Sequence, residues 1–146
     1  MADRISRQRR SWNMSRIKSR DTIPELTVRR ALYQKGYRYR IHYDIDGKPD
    51  IAFPRAKLAI FVHGCFWHQH GCKYTYRPRT RKKFWNDKLN KNITRDAQVA
   101  VKLRDRGWAS ITVWDCEIKR TPSQVMGRLV QIIDSRTMKI TSVSTP

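Results

Sequence analysis

At 146 residues the chain is long enough for one domain with a real core, and its 39 % apolar residues, five Trp and six Tyr argue against an intrinsically disordered chain. Its 32 Lys and Arg outweigh 12 Asp and Glu, a formal charge of +20, so nucleic acid is the leading partner, ahead of an anionic membrane surface. No apolar run approaches the roughly 20 residues of a membrane span, and no apolar stretch follows the basic N-terminus, which speaks against a membrane protein and a secretory signal.

Residues 1–20 carry seven basic side chains against Asp3 and read as a basic N-terminal arm ordered on DNA, with Trp12 and Met14 its bulkiest apolar groups. Thr22-Ile-Pro-Glu25 has capping-box spacing with Pro in the first turn, which predicts a helix to about Gly36. Strict alternation over Tyr37–Tyr43 predicts a strand, and Asp46-Gly47 a turn. Pro49–Phe53 and Leu58–His63 read as two short strands, and residues 64–80 as a Gly- and His-rich loop ending in a basic stretch. From about Thr80 to Arg106 the pattern is helical, with a break expected near Asn90–Asn92. Gly107 stops it, Trp108–Cys116 reads as a β-branched strand, and Thr121-Pro122-Ser123 opens a last helix with Val125, Leu129, Ile132 and Ile133 inward. This order implies a single α/β domain with helices flanking a mixed sheet, over residues 21–135, followed by a tail at 136–146.

Residues 61–72, Phe-Val-His-Gly-Cys-Phe-Trp-His-Gln-His-Gly-Cys, hold three of the four histidines and two of the three cysteines. An odd number of cysteines mixed with histidines fits metal binding in a reducing cytosol better than disulfides. Cys65, His70, Cys72 and the distant Cys116 would make a closed Cys3His zinc site, which is structural rather than catalytic. Spacing alone equally allows His68 as the fourth ligand, freeing His70 for chemistry.

In so basic a chain each acid near a DNA-facing site needs a reason. Alternation puts Asp50 and Ala52 on one side of their strand, and Ala59, Phe61 and His63 on one side of the next. If the two strands pair, Asp50 and His63 face one cleft, where a carboxylate beside an imidazole suits a hard cation and proton transfer to oxygen. Taken at 100° per residue, Asp96 lies about 20° from Leu89 on the stripe of Ile93, Ala100 and Leu103, where an acid is costly unless bonded. A bond from Asp96 to a catalytic histidine would meet that need. Glu25 has a sufficient capping role of its own. Phe66-Trp67 in its polar loop and Phe84-Trp85 beside Arg79, Arg81, Lys82 and Lys83 suit stacking on bases while the cations hold phosphate. Trp108 and Trp114 look more natural as core residues.

Residues 61–72, with Asn13-Met14, Arg20-Asp21-Thr22, Pro49-Asp50, Phe84-Trp85, Lys91-Asn92 and Arg95-Asp96 in the same order, resemble the very short patch repair (Vsr) DNA mismatch endonucleases over about residues 10–118. The resemblance implies a restriction-endonuclease-like fold with structural Zn²⁺ on Cys65, His70, Cys72 and Cys116. It implies Mg²⁺ on Asp50 and the Val62 backbone carbonyl. Catalysis would fall to His63 and His68, with Asp96 holding His68 and Glu25 acting in the site. Phe66, Trp67 and Trp85 would wedge into the duplex from the major groove and Met14 from the minor groove. The substrate would be double-stranded DNA with a T·G mismatch left by deamination of 5-methylcytosine, nicked 5′ of the thymine. A monomer acting on the nucleoid in a bacterial cytoplasm, handing its nick to downstream repair proteins, completes that expectation. The rival reading is a non-catalytic zinc-stabilised DNA-binding module. It would need no acid on an apolar helix stripe.

Overall fold

A computed structural model describes residues 22–72 and 75–144, so the expectations for the N-terminal arm and Met14 lie outside the described residues. The elements in chain order are α1 (Ile23–Gln34), β1 (Ile51–Phe53), β2 (Leu58–His63), α2 (Cys65–His68), α3 (Lys82–Asp105), β3 (Ala109–Trp114), α4 (Asp115–Arg120) and α5 (Pro122–Ser144). Thr22 Oγ1 accepts from Glu25 N at 3.4 Å and Pro24 occupies the first turn, so α1 starts where its capping signal lies. Glu25, Val28, Arg29 and Leu32, at i, i+3, i+4 and i+7, form its buried face.

β2 is the central strand, antiparallel to β1 with Ile51 opposite Ile60, and parallel to β3 with His63 opposite Trp114. Strand alternation then sorts the two faces. Ile51, Leu58, Ile60, Val62 and Val113 meet Val28 and Leu32 of α1 and Val125, Leu129 and Ile133 of α5 in the main core. Each such fully buried aliphatic contributes about 2 kcal/mol, so most of the stability resides on this face. Among the described residues, Ala59 and Phe61 on the other face meet Leu103, with Ile45, Val99 and Trp108 packed alongside. Of the 24 residues of α3 only Leu89 and Leu103 are buried, and between these anchors the helix borders a cavity.

Several elements depart from expectation for visible reasons. Tyr37–Tyr43 is not a strand. Tyr37 and Tyr39 pack on the main core, but β1 is three residues long and offers Arg40 a single bridge, to Ala52. His42 then enters the left-handed region at φ 53, which ends the extended run. α3 runs through Asn90–Asn92 unbroken, because Asn90 and Asn92 bond outward, to Arg77 and to the Trp67 carbonyl, rather than to their own helix backbone. The expected loop at 64–80 contains the single turn α2, and Cys116 lies in α4 rather than at a strand end. α5 continues to Ser144, into the segment expected as a tail. Gly47 is required twice over: its φ is +78, and a Cβ there would sit 2.4 Å from Val99 Cγ1. No helix among the described residues is long and apolar enough to cross a membrane.

Candidate active site

The space between α3 and the sheet is a cavity of about 670 Å³. Its lining includes Glu25, Lys48, Asp50, Val62, His63, His68, Lys88, Asn92, Arg95 and Asp96. Asp50 and His63 therefore reach one cleft, as strand pairing requires. Asp50 precedes β1, and its Oδ2 accepts from Val62 N at 2.6 Å, so the next strand fixes the carboxylate. The Val62 group seen in contact is its N–H; the residue itself lines the cavity.

Glu25 and Arg29 approach from α1. Arg29 Nη2 reaches Glu25 Oε2 and the Asp50 carbonyl, each at 3.3 Å. Burial pushes the Asp50 carboxyl up to about 7, helped by the charge and hydrogen bonding of Glu25 and opposed by the Val62 N–H and Arg29. Two carboxylates crowded beside the main core make a hard oxygen donor set whose repulsion a divalent cation would relieve. The residues present thus fit Mg²⁺.

His68 closes α2 and faces Asp96 on α3, with His68 Nδ1 2.6 Å from Asp96 Oδ2. A carboxylate can only accept, so the proton sits on Nδ1 and Nε2 is left for chemistry. The His63 ring stacks on His68 at 3.7 Å between centroids and 6° between planes. Burial pushes His63 down to about 4, with the neighbouring His68 charge adding to the effect and Asp96 opposing it. His63 is therefore neutral near pH 7. Asp96 lies on the predicted stripe, but the stripe is core only at Leu89 and Leu103. Ile93 is 41 % exposed, and Ala100 faces the cavity.

Cys65, His70, Cys72 and Cys116 form the second group, their donor atoms all within 4.8 Å of one another. His70 Nδ1 lies 3.8 Å from Cys65 Sγ and 3.5 Å from Cys116 Sγ. Tetrahedral zinc, with bonds of about 2.3 Å to sulfur and about 2.0 Å to nitrogen, needs sulfur and nitrogen about 3.5 Å apart. The set fits that ion, and it groups His70, not His68, with the cysteines. Burial pushes the Cys65 thiol up to about 12, and its hydrogen bonds to Cys72 and Cys116 add to this. A bound cation would reverse that by favouring thiolate.

The three aromatics expected at the duplex come together. Phe66 lies 5.1 Å from Trp67 and 5.6 Å from Trp85, and Trp67 and Trp85 are 5.8 Å apart. Tyr76, stacked on Phe66 at 4.8 Å, and Phe84, 5.3 Å from Trp85, extend the cluster and are 62 % and 44 % exposed. Lys88 Nζ lies 5.7 Å from the Trp67 ring centroid, joining this surface to the cavity. Asn92 Nδ2 donates to the Trp67 carbonyl at 3.0 Å.

Sequence reasoning missed roles for Arg29 and Trp114. Arg29 stands four residues from Glu25, a spacing that signals an ion pair. Trp114 shares face parity with His63 once β2 and β3 pair in parallel, a register that no local pattern reveals.

The profile of the family described as DNA mismatch endonuclease Vsr matches residues 2–74. Over 135 residues the chain is 42 % identical to "Type II nicking enzyme V.XorIIP" of Xanthomonas oryzae pv. oryzae, covering 92 % of this chain and 98 % of that protein. It is 39 % identical over 120 residues to "Type II nicking enzyme V.NmeAIP" of Neisseria meningitidis, covering 82 % and 86 %. To "DNA mismatch endonuclease Vsr" of Escherichia coli K12 it is 37 % identical over 120 residues, covering 82 % and 77 %. A cavity that gathers Asp50, His63, His68 and Asp96, and relatives matched across most of their length, lead to one conclusion: the chain belongs to the Vsr DNA mismatch endonuclease family.

Proposed function

We propose that this member of a DNA-nicking endonuclease family is a Mg²⁺-dependent enzyme that cuts one strand 5′ of the thymine in a T·G mismatch. The lesion is that left by deamination of 5-methylcytosine, and the cut initiates very short patch repair. The observation that carries this reading is the assembly of Asp50, His63 and the His68–Asp96 pair around one cavity beside an aromatic surface. A mere binding module has no use for a carboxylate bonded to an imidazole in its DNA-facing cleft. Names of the relatives add that nicking and mismatch cleavage occur within the family.

His68 Nε2 accepts the proton of the attacking water while Asp96 holds the ring and stabilises the imidazolium formed. The water oxygen bonds to phosphorus as the bond to the 3′ oxygen breaks, leaving a 5′-phosphate, and the departing 3′ oxygen takes a proton from solvent to become the 3′-hydroxyl. His63 hydrogen-bonds the scissile phosphate. Asp50, with Val62, would hold Mg²⁺, which when bound neutralises phosphate charge and stabilises the leaving oxygen. Glu25 orders the hydration beside Asp50, and Lys48, Lys88 and Arg95 hold flanking phosphates. Phe66, Trp67 and Trp85 enter the duplex at the weakly stacked mismatch, where unstacking costs least, and Met14 enters from the opposite groove. Zn²⁺ on Cys65, His70, Cys72 and Cys116 would fix the loop that carries these groups. The fold in this reading is restriction-endonuclease-like, with the nuclease unit at 21–135, a DNA-ordered arm at 1–20 and a tail at 136–146. The protein acts as a monomer in the cytoplasm and passes its nick to downstream repair proteins.

The test is a nicking assay on a hemimethylated duplex with one T·G mismatch, with and without Mg²⁺. A single Mg²⁺-dependent nick beside the thymine is expected; its absence in every flanking sequence sinks the proposal.

A further inference from the structure

Among the described residues, no side-chain hydrogen bond holds the imidazole of His63, although the proposed chemistry needs that ring in one orientation. A catalytic or metal-bound histidine is ordinarily aimed by a hydrogen bond to its second nitrogen. An Asp96 oxygen lies within 4.8 Å of a His63 nitrogen, but the groups packed against the ring are aromatic. His68 stacks on one face at 3.7 Å, Phe61 lies 5.7 Å away, and Trp114 lies 5.4 Å away in a T-shaped contact at 73°. Trp114 is also edge-on to His68 at 6.4 Å. Its face stacks on His70 at 4.1 Å with 7° between planes, and His70 Nδ1 points at Cys65 and Cys116. One indole thus touches three of the four histidines in the chain, on both sides of the boundary between the two clusters.

Trp114 is itself well anchored. It ends β3 directly opposite His63 in the parallel register, and its backbone N–H donates to Glu117 Oε2 at 3.1 Å. That same oxygen accepts from Arg128 Nη2 at 3.2 Å, tying the end of the strand to α5 and so to the main core. The indole is held from the core side by its backbone and from the cysteine side by His70.

We infer that Trp114 is a positioning residue that fixes the His63 ring by packing and couples its orientation to the Cys65–His70–Cys72–Cys116 cluster. The inference rests on the nuclease reading for its catalytic consequence, but the packing itself can be measured independently. Without the indole, the His63 ring gains rotamers about its broad, two-fold outer torsion, and the nicking step loses alignment rather than affinity.

Trp114→Leu and Trp114→Phe are compared with wild type in zinc content, T·G-duplex affinity, single-turnover nicking rate and imidazole NMR. With only four histidines in the chain, each ring signal can be followed. Trp114→Leu should keep its zinc and bind duplex within about threefold of wild type, yet nick about 10–100-fold more slowly, the scale expected for ångström misplacement of a reacting group. Its His63 signals should broaden or split, and Trp114→Phe should recover most of both losses. A Leu variant that nicks within threefold of wild type with unchanged His63 signals overturns the inference. So does a rate loss matched by loss of zinc or affinity, which marks Trp114 as merely structural. If Trp114→Leu does not fold, Trp114→Met takes its place and is set against Trp108→Met, which alters the lesser core instead. A slower rate confined to Trp114→Met supports the inference, and equal effects overturn it. If wild type itself fails to nick, the nuclease reading falls, and the His63 signals alone decide the role of Trp114.

Discussion

Asp96→Asn tests the histidine chemistry most directly, because it keeps the shape of the side chain and removes only its charge. His68 Nδ1 and Asp96 Oδ2 are 2.6 Å apart, which puts the two charge centres about 4 Å apart once His68 takes a proton. At an effective dielectric near 20 that attraction is about 4 kcal/mol. The side chains are 26 % and 31 % exposed, so solvent screening lowers it to about 3 kcal/mol. At about 1.4 kcal/mol per tenfold, the nicking rate should fall on the order of 100-fold. The Asn amide can also hydrogen-bond the wrong His68 tautomer, which extends the loss toward about 1000-fold. Single-turnover nicking of a labelled T·G duplex measures the rate, and fluorescence anisotropy with Ca²⁺ replacing Mg²⁺ measures affinity, expected within about threefold of wild type. A rate within threefold of wild type would refute the proposed role of the pair. Equal losses of rate and affinity would make Asp96 a folding residue. Adding His68→Ala to Asp96→Asn should cost little more than His68→Ala alone, because the two act as a unit.

Asp50→Ala should reduce nicking by about 1000-fold or more while duplex binding persists; loss of both in the two assays would make Asp50 structural. Cys116→Ala should lower zinc content and thermal stability together, by about 3 kcal/mol or more, since cluster ligation contributes directly to folding; full stability without zinc would contradict the cluster's role. Gly47→Ala should destabilise by about 2–4 kcal/mol in denaturant unfolding, from a left-handed φ of +78 and a Cβ 2.4 Å from Val99 Cγ1. A change under 0.5 kcal/mol, taken as about the scale of an ordinary surface substitution, would show that the turn relaxes freely. The hydrogen bond from Tyr37 to Asp134 pushes the Tyr37 hydroxyl up to about 12 from 10.0. A raised native pKa favours the folded state at and below pH 10 and loses that contribution as pH climbs toward 12. Wild type should thus lose stability relative to Tyr37→Phe across that window, and parallel pH profiles would refute the pairing.

Locally encoded features were readable from the sequence to different depths. Thr22 and Pro24 placed the start of α1, and β2 follows Leu58–His63. Alternation in two adjacent strands was enough to put Asp50 and His63 in one cleft, because pairing preserves face parity. The 100° periodicity likewise turned Asp96 toward the interior without revealing that its surroundings would be a cavity. Tyr37–Tyr43 shows the limit of pattern alone: it alternates like a strand, but its neighbour β1 is too short to pair with it. Cys116 in α4, the choice between His68 and His70, and the reach of Trp114 all depend on the parallel docking of β3 beside β2, a tertiary event that no window of sequence encodes.

That docking also orders events in time. β1 and β2 form a hairpin from contiguous chain, but β3 can join only after residues 64–108 have been made. Non-local pairing of this kind forms late because the entropy of closing a long loop must be overcome first. Asp50 and His63 are brought together by the local hairpin, whereas Trp114 reaches His63 only through the non-local pairing of β3 with β2. A partly synthesised or partly folded chain would therefore already carry much of the positive charge that attracts DNA, without a completed apparatus to cut it.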